Sequence, residues 1–362
     1  MRGKFLITLS VIGLAIAGCK KDNANNSSGN TSAQATFEQQ VLTDFAGNLA
    51  NPNYQDIQAN ALVMNNAIIA FNTNPTDNNL AAIRTAWKNT RAAWEMCEGF
   101  LFGPVEDFNY DPTMDDWPVN KADLDNVLAG NNPLQVSDID QLGTTLKGFH
   151  AIEYIIFGVG STQKAANITD RDKLYLASLG QSLYNTTVQL RNSWDPAQAN
   201  NFTAEVINAG NGSTRYTSRL DVFTALVGSM ADICNEVANE KMQTPLAAQD
   251  STLDESSFSH NSVNDFKNNI TGILNAYKCQ YPGAASGHSL SELVASKNAS
   301  LDLKIQSQIN TAIASFSSIT TTYEKAIYTQ QNQVKTVQNA INTLKVTLEG
   351  DLSAFIQTNI KD

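Results

Sequence analysis

The chain has 362 residues, with 24 basic against 35 acidic side chains and a formal charge of −11, a balance that excludes a nucleic-acid-binding surface. An acidic field of this size favours solubility and attracts cations, without defining a site. The cysteines, at positions 19, 97, 234 and 279, are too widely spaced for a zinc ribbon and too few for a disulfide scaffold.

The N-terminus, Met1-Arg2-Gly3-Lys4, leads into an apolar run from Phe5 to Ala17 and then Gly18-Cys19. About thirteen apolar-dominated residues are too few for a permanent membrane span, and the small residues before the cysteine predict a lipoprotein signal peptide over residues 1–18. Cys19 is then the lipidated first residue of the mature chain. This places the protein in the cell envelope, lipid-anchored to the outer membrane on its periplasmic or surface side. Loss of Arg2 and Lys4 takes the formal charge to −13. The remaining 344 residues exceed what one hydrophobic core usually serves, so two domains are expected, 36–200 and 201–362. Residues 19–35 lack large apolar groups and read as a disordered tether.

From Thr36 the pattern is helical: Phe37, Val41, Phe45 and Leu49 recur every four residues until Asn51-Pro52 interrupts. A second run covers 54–72, Asn74-Pro75-Thr76-Asp77 supplies turn and cap chemistry, and a long amphipathic helix follows over 79–102. Further helical patterns cover 121–129, 135–157, 169–194, 215–242, 258–278, 299–327 and 330–360. Strand alternation is nowhere sustained, and the expectation is an all-α protein built from helical bundles. No later run is long and apolar enough to span a membrane. Of Cys97, Cys234 and Cys279, at least one must stay unpaired; an oxidising compartment permits one bridge, but all three read as buried structural thiols.

In the run 79–102, Trp87, Arg91, Trp94, Glu95, Glu98 and Phe102 fall on one helical stripe with a charged centre. By itself Glu95-x-x-Glu98 is more simply a solvated edge beside Arg91. The loop that follows carries Asp107, Asp111, Asp115 and Asp116; within Asp115-Asp116-Trp117-Pro118, Asp115 is the favoured extra ligand, against the plainer reading of a capped turn. The run Gly148 to Gly158 then sets His150 and Glu153 three apart in an apolar helix, so both face one way and can share a ligand. The next formal charge downstream is Lys164, so Glu153 must find its compensation elsewhere in the fold. Spacing alone favours a core histidine and an ion pair with a distant arginine. Helical bundles, however, commonly build metal sites from Glu and Glu/His pairs on facing helices. Glu95, Glu98, His150, Glu153 and Asp115 together form a hard, oxygen-rich set suited to iron, manganese, calcium or weakly held zinc.

The G-x-H-x-x-E hexapeptide with its apolar tail resembles the signature of the imelysin family, also called the insulin-cleaving membrane-protein family. The resemblance extends to Glu98-Gly99-Phe100-Leu101-Phe102-Gly103-Pro104-Val105, to the Trp117-Pro118 turn, and to a second block from Ser257 to Ile270. It implies two helical-bundle subdomains with a functional cleft between them, an envelope location and an association with iron uptake. On that reading Arg91, Trp94 and Trp117 line the cleft, and His260, Asn261 and Ser262 form its opposite wall. A plainer role for Asn261 or Ser262 is to cap the helix that follows.

The expected function is binding of iron, another metal or an iron-containing ligand, in partnership with an outer-membrane uptake system. The rival is a metallopeptidase, the activity for which the family was named. Against it, the chain has neither HExxH nor HxxEH, and its histidines are His150, His260 and His288 only. A G-x-S-x-G elbow and a Cys–His pair close in sequence are also lacking, so no catalytic residue is assigned. A peptide- or carbohydrate-binding scaffold without metal is the third alternative.

Overall fold

The computed structural model describes residues 27–361. The signal peptide, Cys19 and the first part of the tether lie outside the described residues.

The described chain is helical throughout, without a strand, and forms two packed helical bundles. Helix Asn51–Thr73 packs on Asp77–Glu95 and on Asp170–Trp194, and the short helix Gly148–Phe157 lies against the latter two. The second group is built from Arg219–Asn235, Ser262–Lys278, Ala299–Ser315 and Gln331–Thr347. Buried apolar side chains run through both groups as one continuous core. The N-terminal helix Ser27–Asp44 contacts Phe202–Ile207, Leu290–Lys297 and Arg219–Asn235, so it packs mainly on elements after residue 200.

Local chemistry accounts for most helix starts. Thr76 accepts a hydrogen bond from the Asn79 amide at 3.2 Å, and capping boxes at Thr169/Asp172, Ser218/Asp221 and Ser289/Glu292 open three further helices.

Several boundaries differ from those the sequence suggests. Pro52 does not interrupt its helix. A π-helical turn over Phe45–Ala50 precedes it, and that wider turn relieves the conflict between the proline ring and the preceding carbonyl, so the chain continues helically. Helix Ser27–Asp44 reaches into the stretch expected to be tether, because adding residues to a helix already anchored by its apolar face needs no new nucleus.

The run 79–102 is not one helix: it stops at Glu95, and Glu98–Phe100 forms a separate 3-10 turn. The run 135–157 is broken over residues 141–147 and resumes at Gly148, whose φ of +74° is left-handed. The run 299–327 is broken between Ser318 and Tyr323.

Two glycine contacts make these breaks useful. A Cβ on Gly148 would lie 2.2 Å from the Met114 carbonyl oxygen, so only glycine lets the signature helix start against the loop that ends in Asp115. A Cβ on Gly99 would lie 2.9 Å from the backbone of Gly272, and one on Gly272 would lie 2.5 Å from the Met96 carbonyl oxygen. The two bundles therefore meet backbone to backbone beside Glu98.

Candidate metal centre

Where the bundles meet, the fold collects a charged cluster inside the protein. Arg91, on helix Asp77–Glu95, is fully buried and ion-pairs with Glu95 one turn later and with Asp115 at the end of the short helix Tyr110–Asp115. Its guanidinium also lies 3.2 Å from Glu255 and 3.9 Å from Asp265. Lys241, the second buried cation, is 2.9 Å from Glu255, 3.0 Å from Glu98 and 3.3 Å from Glu236. Trp94 donates its indole N–H to Asp115 at 2.6 Å, and Asn269 bridges Glu95 and Glu98 with its amide N–H groups.

His150 and Glu153 do share a helix face, and there they meet each other. Their side chains are hydrogen-bonded to each other, Nδ1 to Oε2, at 2.9 Å, while Oε1 of Glu153 accepts the Ser259 amide N–H at 2.7 Å. Both oxygens are thus used. The compensation that Glu153 requires comes from an imidazole and a backbone amide, and Glu153 is placed to orient His150. The carboxylate contact at Nδ1 fixes the ring so that Nε2 faces Asp115, whose Oδ1 is 3.1 Å away. Nε2 is buried and lacks a hydrogen-bond partner.

Three sets of candidate ligand atoms lie mutually within 4.8 Å: Asp115, His150 and Glu255; Glu95, Glu98 and Asp115; and Glu95, Glu255 and Asp265. Glu95, Glu98, His150 and Asp115 therefore converge as the stripe and the signature suggest. Glu98 does so from a separate turn rather than from the Arg91 helix.

Lys241, Glu255, Asp265 and Asn269 have no periodic or motif relation to His150 and were not legible as site residues. The one signal was the second block, which includes Asp265 and Asn269.

Other expected wall residues take different roles. Arg91 and Trp94 are buried inside the cluster rather than lining an open cleft. Trp117 lies partly exposed under the Lys241 ammonium, 5.0 Å from its ring centre. His260 turns to Glu324, with Nδ1 2.7 Å from Oε1. Neither Asn261 nor Ser262 caps helix Ser262–Lys278 through its side chain: Asn261 donates to Asp265 at 2.7 Å, and Ser262 donates to Asp254 at 2.7 Å while accepting the Ser256 amide. Charged neighbours compete successfully for these side chains because a buried carboxylate without a donor is costly. The three described cysteines are free and buried.

The electrostatics are unbalanced. Glu95, Glu98, Asp115, Glu153, Glu255 and Asp265 are buried carboxyl groups, against the two cations Arg91 and Lys241. Burial pushes Glu95 up to about 7 even beside Arg91 and Lys241, and Asp265 up to about 6. Glu98 is raised well above the carboxylate range by burial and by the neighbouring Glu95 charge. Burial also acts to raise Glu255, but Lys241 and Arg91 outweigh it and hold Glu255 below its ordinary value.

A hard cation fits this donor set. The carboxylates are in excess, one imidazole nitrogen faces a carboxylate oxygen across 3.1 Å, and Glu255 Oε2 is buried without a partner.

Comparison with known proteins agrees with the fold. The sequence matches the imelysin family (Peptidase M75) over residues 50–349. It is 28% identical over 327 residues to iron-regulated protein A of Synechococcus elongatus, an alignment covering 90% of this chain and 88% of that protein. Two crystal structures share the fold. One is from Parabacteroides distasonis, provisionally named an iron-regulated protein A precursor, with a TM-score of 0.80, 23% identity and coverage of 90% of this chain and 96% of that one. The other is an imelysin-like protein from Psychrobacter arcticum, with a TM-score of 0.72, 13% identity and coverage of 88% and 95%. The chain belongs to the imelysin family.

Proposed function

We propose that this is a lipid-anchored envelope protein that binds a hard metal cation, iron foremost, in the buried cluster between its two bundles and assists iron uptake. The observation that carries this reading is the excess of buried carboxylates over buried cations around His150. Ions of one sign at such separations repel strongly in a poorly solvated interior, so the cluster gains stability when a cation or protons enter. Asp115, His150 and Glu255 are the favoured ligands, with Glu95 and Glu98 beside them. Glu153 orients the imidazole from behind, and Arg91 holds Glu95 and Asp115 in place.

Iron is favoured over other hard cations by the name of the Synechococcus relative, and the envelope location by the N-terminal sequence. A partner in the outer membrane would supply or receive the ion. Binding is favoured over peptide hydrolysis because Glu95, His150, Glu153 and Glu255 are at most 2% exposed, which leaves a polypeptide no access to them.

Titration with iron(II), anaerobically, and with manganese(II) tests the reading. Wild type should bind, while His150→Ala and Glu255→Gln should weaken binding by tenfold or more; Glu153→Ala should weaken it by about 10–100-fold, as loss of an orienting partner does. Equal binding by wild type and all three variants would make the cluster purely structural.

A further inference from the structure

We propose that the cation reaches this cluster as a bare hydrated ion, through an acidic cavity ending at Glu98, and that it displaces the Lys241 ammonium, a tethered occupant standing between the cavity and the inner ligands. The proposal rests on the cation-binding reading above and names the form of the ligand and its route.

The cavity lies between the segment Glu98–Pro112 and helix Arg219–Asn235 and has a volume of about 230 Å³. A water molecule takes about 30 Å³ of liquid volume, so the space suits an ion with part of its shell. It falls below the roughly 300–1,000 Å³ of small-molecule sites, a size that favours a bare ion over a bulky chelate. Glu98, Glu106, Asp111, Asp232 and Glu236 contribute to its wall, with no lysine or arginine among the lining residues. A narrow recess walled by one sign of charge concentrates the opposite ion.

Glu98 belongs to both compartments: it lines the cavity, is 4% exposed, and binds Asn269 and Lys241 in the cluster. Lys241 does the same from the other side, touching Glu98 and Glu236 of the cavity wall and Glu255 of the inner set. Local geometry makes this contact. Positions five apart on a regular α-helix face different sides, but Glu236–Lys241 is a π-helical turn, whose wider winding brings Glu236 and Lys241 together.

The two buried cations differ in how they can be removed. Arg91 is held by a planar fork spanning several carboxylates, whereas an ammonium is a point charge on a flexible stem. Lys241 also keeps one contact that does not depend on the inner carboxylates: the partly exposed Trp117 ring already lies under its ammonium, 5.0 Å away. An arriving dication or trication takes over Glu98 and Glu255, and Lys241 is left on the Trp117 face.

Stopped-flow binding of iron(II) and manganese(II) to the full mature chain, followed by tryptophan fluorescence, tests this. The triple variant Asp111→Asn, Asp232→Asn, Glu236→Gln should associate at least about tenfold more slowly than a control triple of equal charge change far from the cavity, Asp138→Asn, Glu349→Gln, Asp351→Asn. Lys241→Met should bind more tightly than wild type by about tenfold or more, because the occupant is gone. Equal association rates for the two triples would overturn the route. Weaker binding by a folded Lys241→Met would overturn the displacement, and intact uptake of a bulky iron(III) tris-catecholate would overturn the bare-ion form. If Lys241→Met does not fold, the two triples still decide the route and the catecholate decides the form. Failure of the parent reading looks different: wild type and His150→Ala would then bind alike, whatever the cavity variants do.

Discussion

Two buried regions of this protein, equally closed to solvent, are held together in opposite ways. Around Trp194, the rings of Phe45, Tyr54, Phe102 and Phe202 pack edge-on or tilted at 4.8–6.3 Å between centroids, and their stabilisation is dispersion and the removal of apolar surface from water. Around Arg91 the contacts are ionic and do not sum to neutrality. The aromatic region is built of uncharged rings, so its packing does not call for an added ion. The charged region differs: its carboxylates outnumber its cations, so its stability depends on pH and on which ions are present.

Removing the central member of each region should give the largest effects. Arg91→Met leaves several buried carboxylates uncompensated and should cost about 3–5 kcal/mol, as breaking a buried ion pair does. Trp194→Ala should cost a similar 3–5 kcal/mol through the cavity it leaves. Urea denaturation at two pH values separates them: acid should restore part of the Arg91→Met loss by protonating the stranded carboxylates, and should restore none of the Trp194→Ala loss. A pH-independent loss in Arg91→Met would remove the distinction between the regions.

A smaller step sharpens how the charged region is assembled. Gly148→Ala places a methyl against the Met114 carbonyl and a Cβ at φ +74°, and should cost about 1–3 kcal/mol while loosening His150 from Asp115. Iron(II) affinity should fall along with stability. Retained affinity would show that this junction does not position the histidine.

The wild-type pH profile reads the imbalance without mutation. Burial raises Glu95 from 4.5 to about 7 and Asp265 from 3.8 to about 6, so across this window the folded chain binds more protons than the unfolded one. Stability without added metal should therefore fall as pH rises from about 4.5 to 7, and saturating iron(II) or manganese(II) should flatten the slope. Chemical denaturation at half-unit intervals measures it. A rise over the same interval would contradict the raised values.

The smallest effect belongs to the surface. Lys304, paired with Asp351 at 2.6 Å with both side chains about half exposed, should lose no more than about 0.5 kcal/mol as Lys304→Ala. A loss comparable to that of Arg91→Met would mean that exposure is not what separates the two kinds of ion pair.

What was legible in the sequence follows the range of the forces involved. Helical periodicity, the Thr76 cap and the His150/Glu153 pairing depend on neighbours within a turn or two, so residue spacing exposes them. The stripe from Trp87 to Glu95 likewise pointed to Arg91 and Glu95. It carried Glu98 on the wrong element: the helix stops at Glu95, where the chain passes close to the backbone of Gly272, far away in sequence.

The sequence by itself determined that the chain is helical and acidic and that a histidine and carboxylates sit in apolar helical settings. Only the tertiary structure decided which carboxylates lie around that histidine. Glu255, Asp265 and Lys241 come from the second bundle, and in the folded chain they meet Arg91 and Glu98 of the first. The partners of Glu153 follow the same logic: the His150 ring meets it from its own helix and the Ser259 amide from more than a hundred residues downstream. Spacing can show that a side chain faces inward. What it meets there is fixed by the packing of distant segments, because the cost of burying a charge is met only by partners the whole fold assembles.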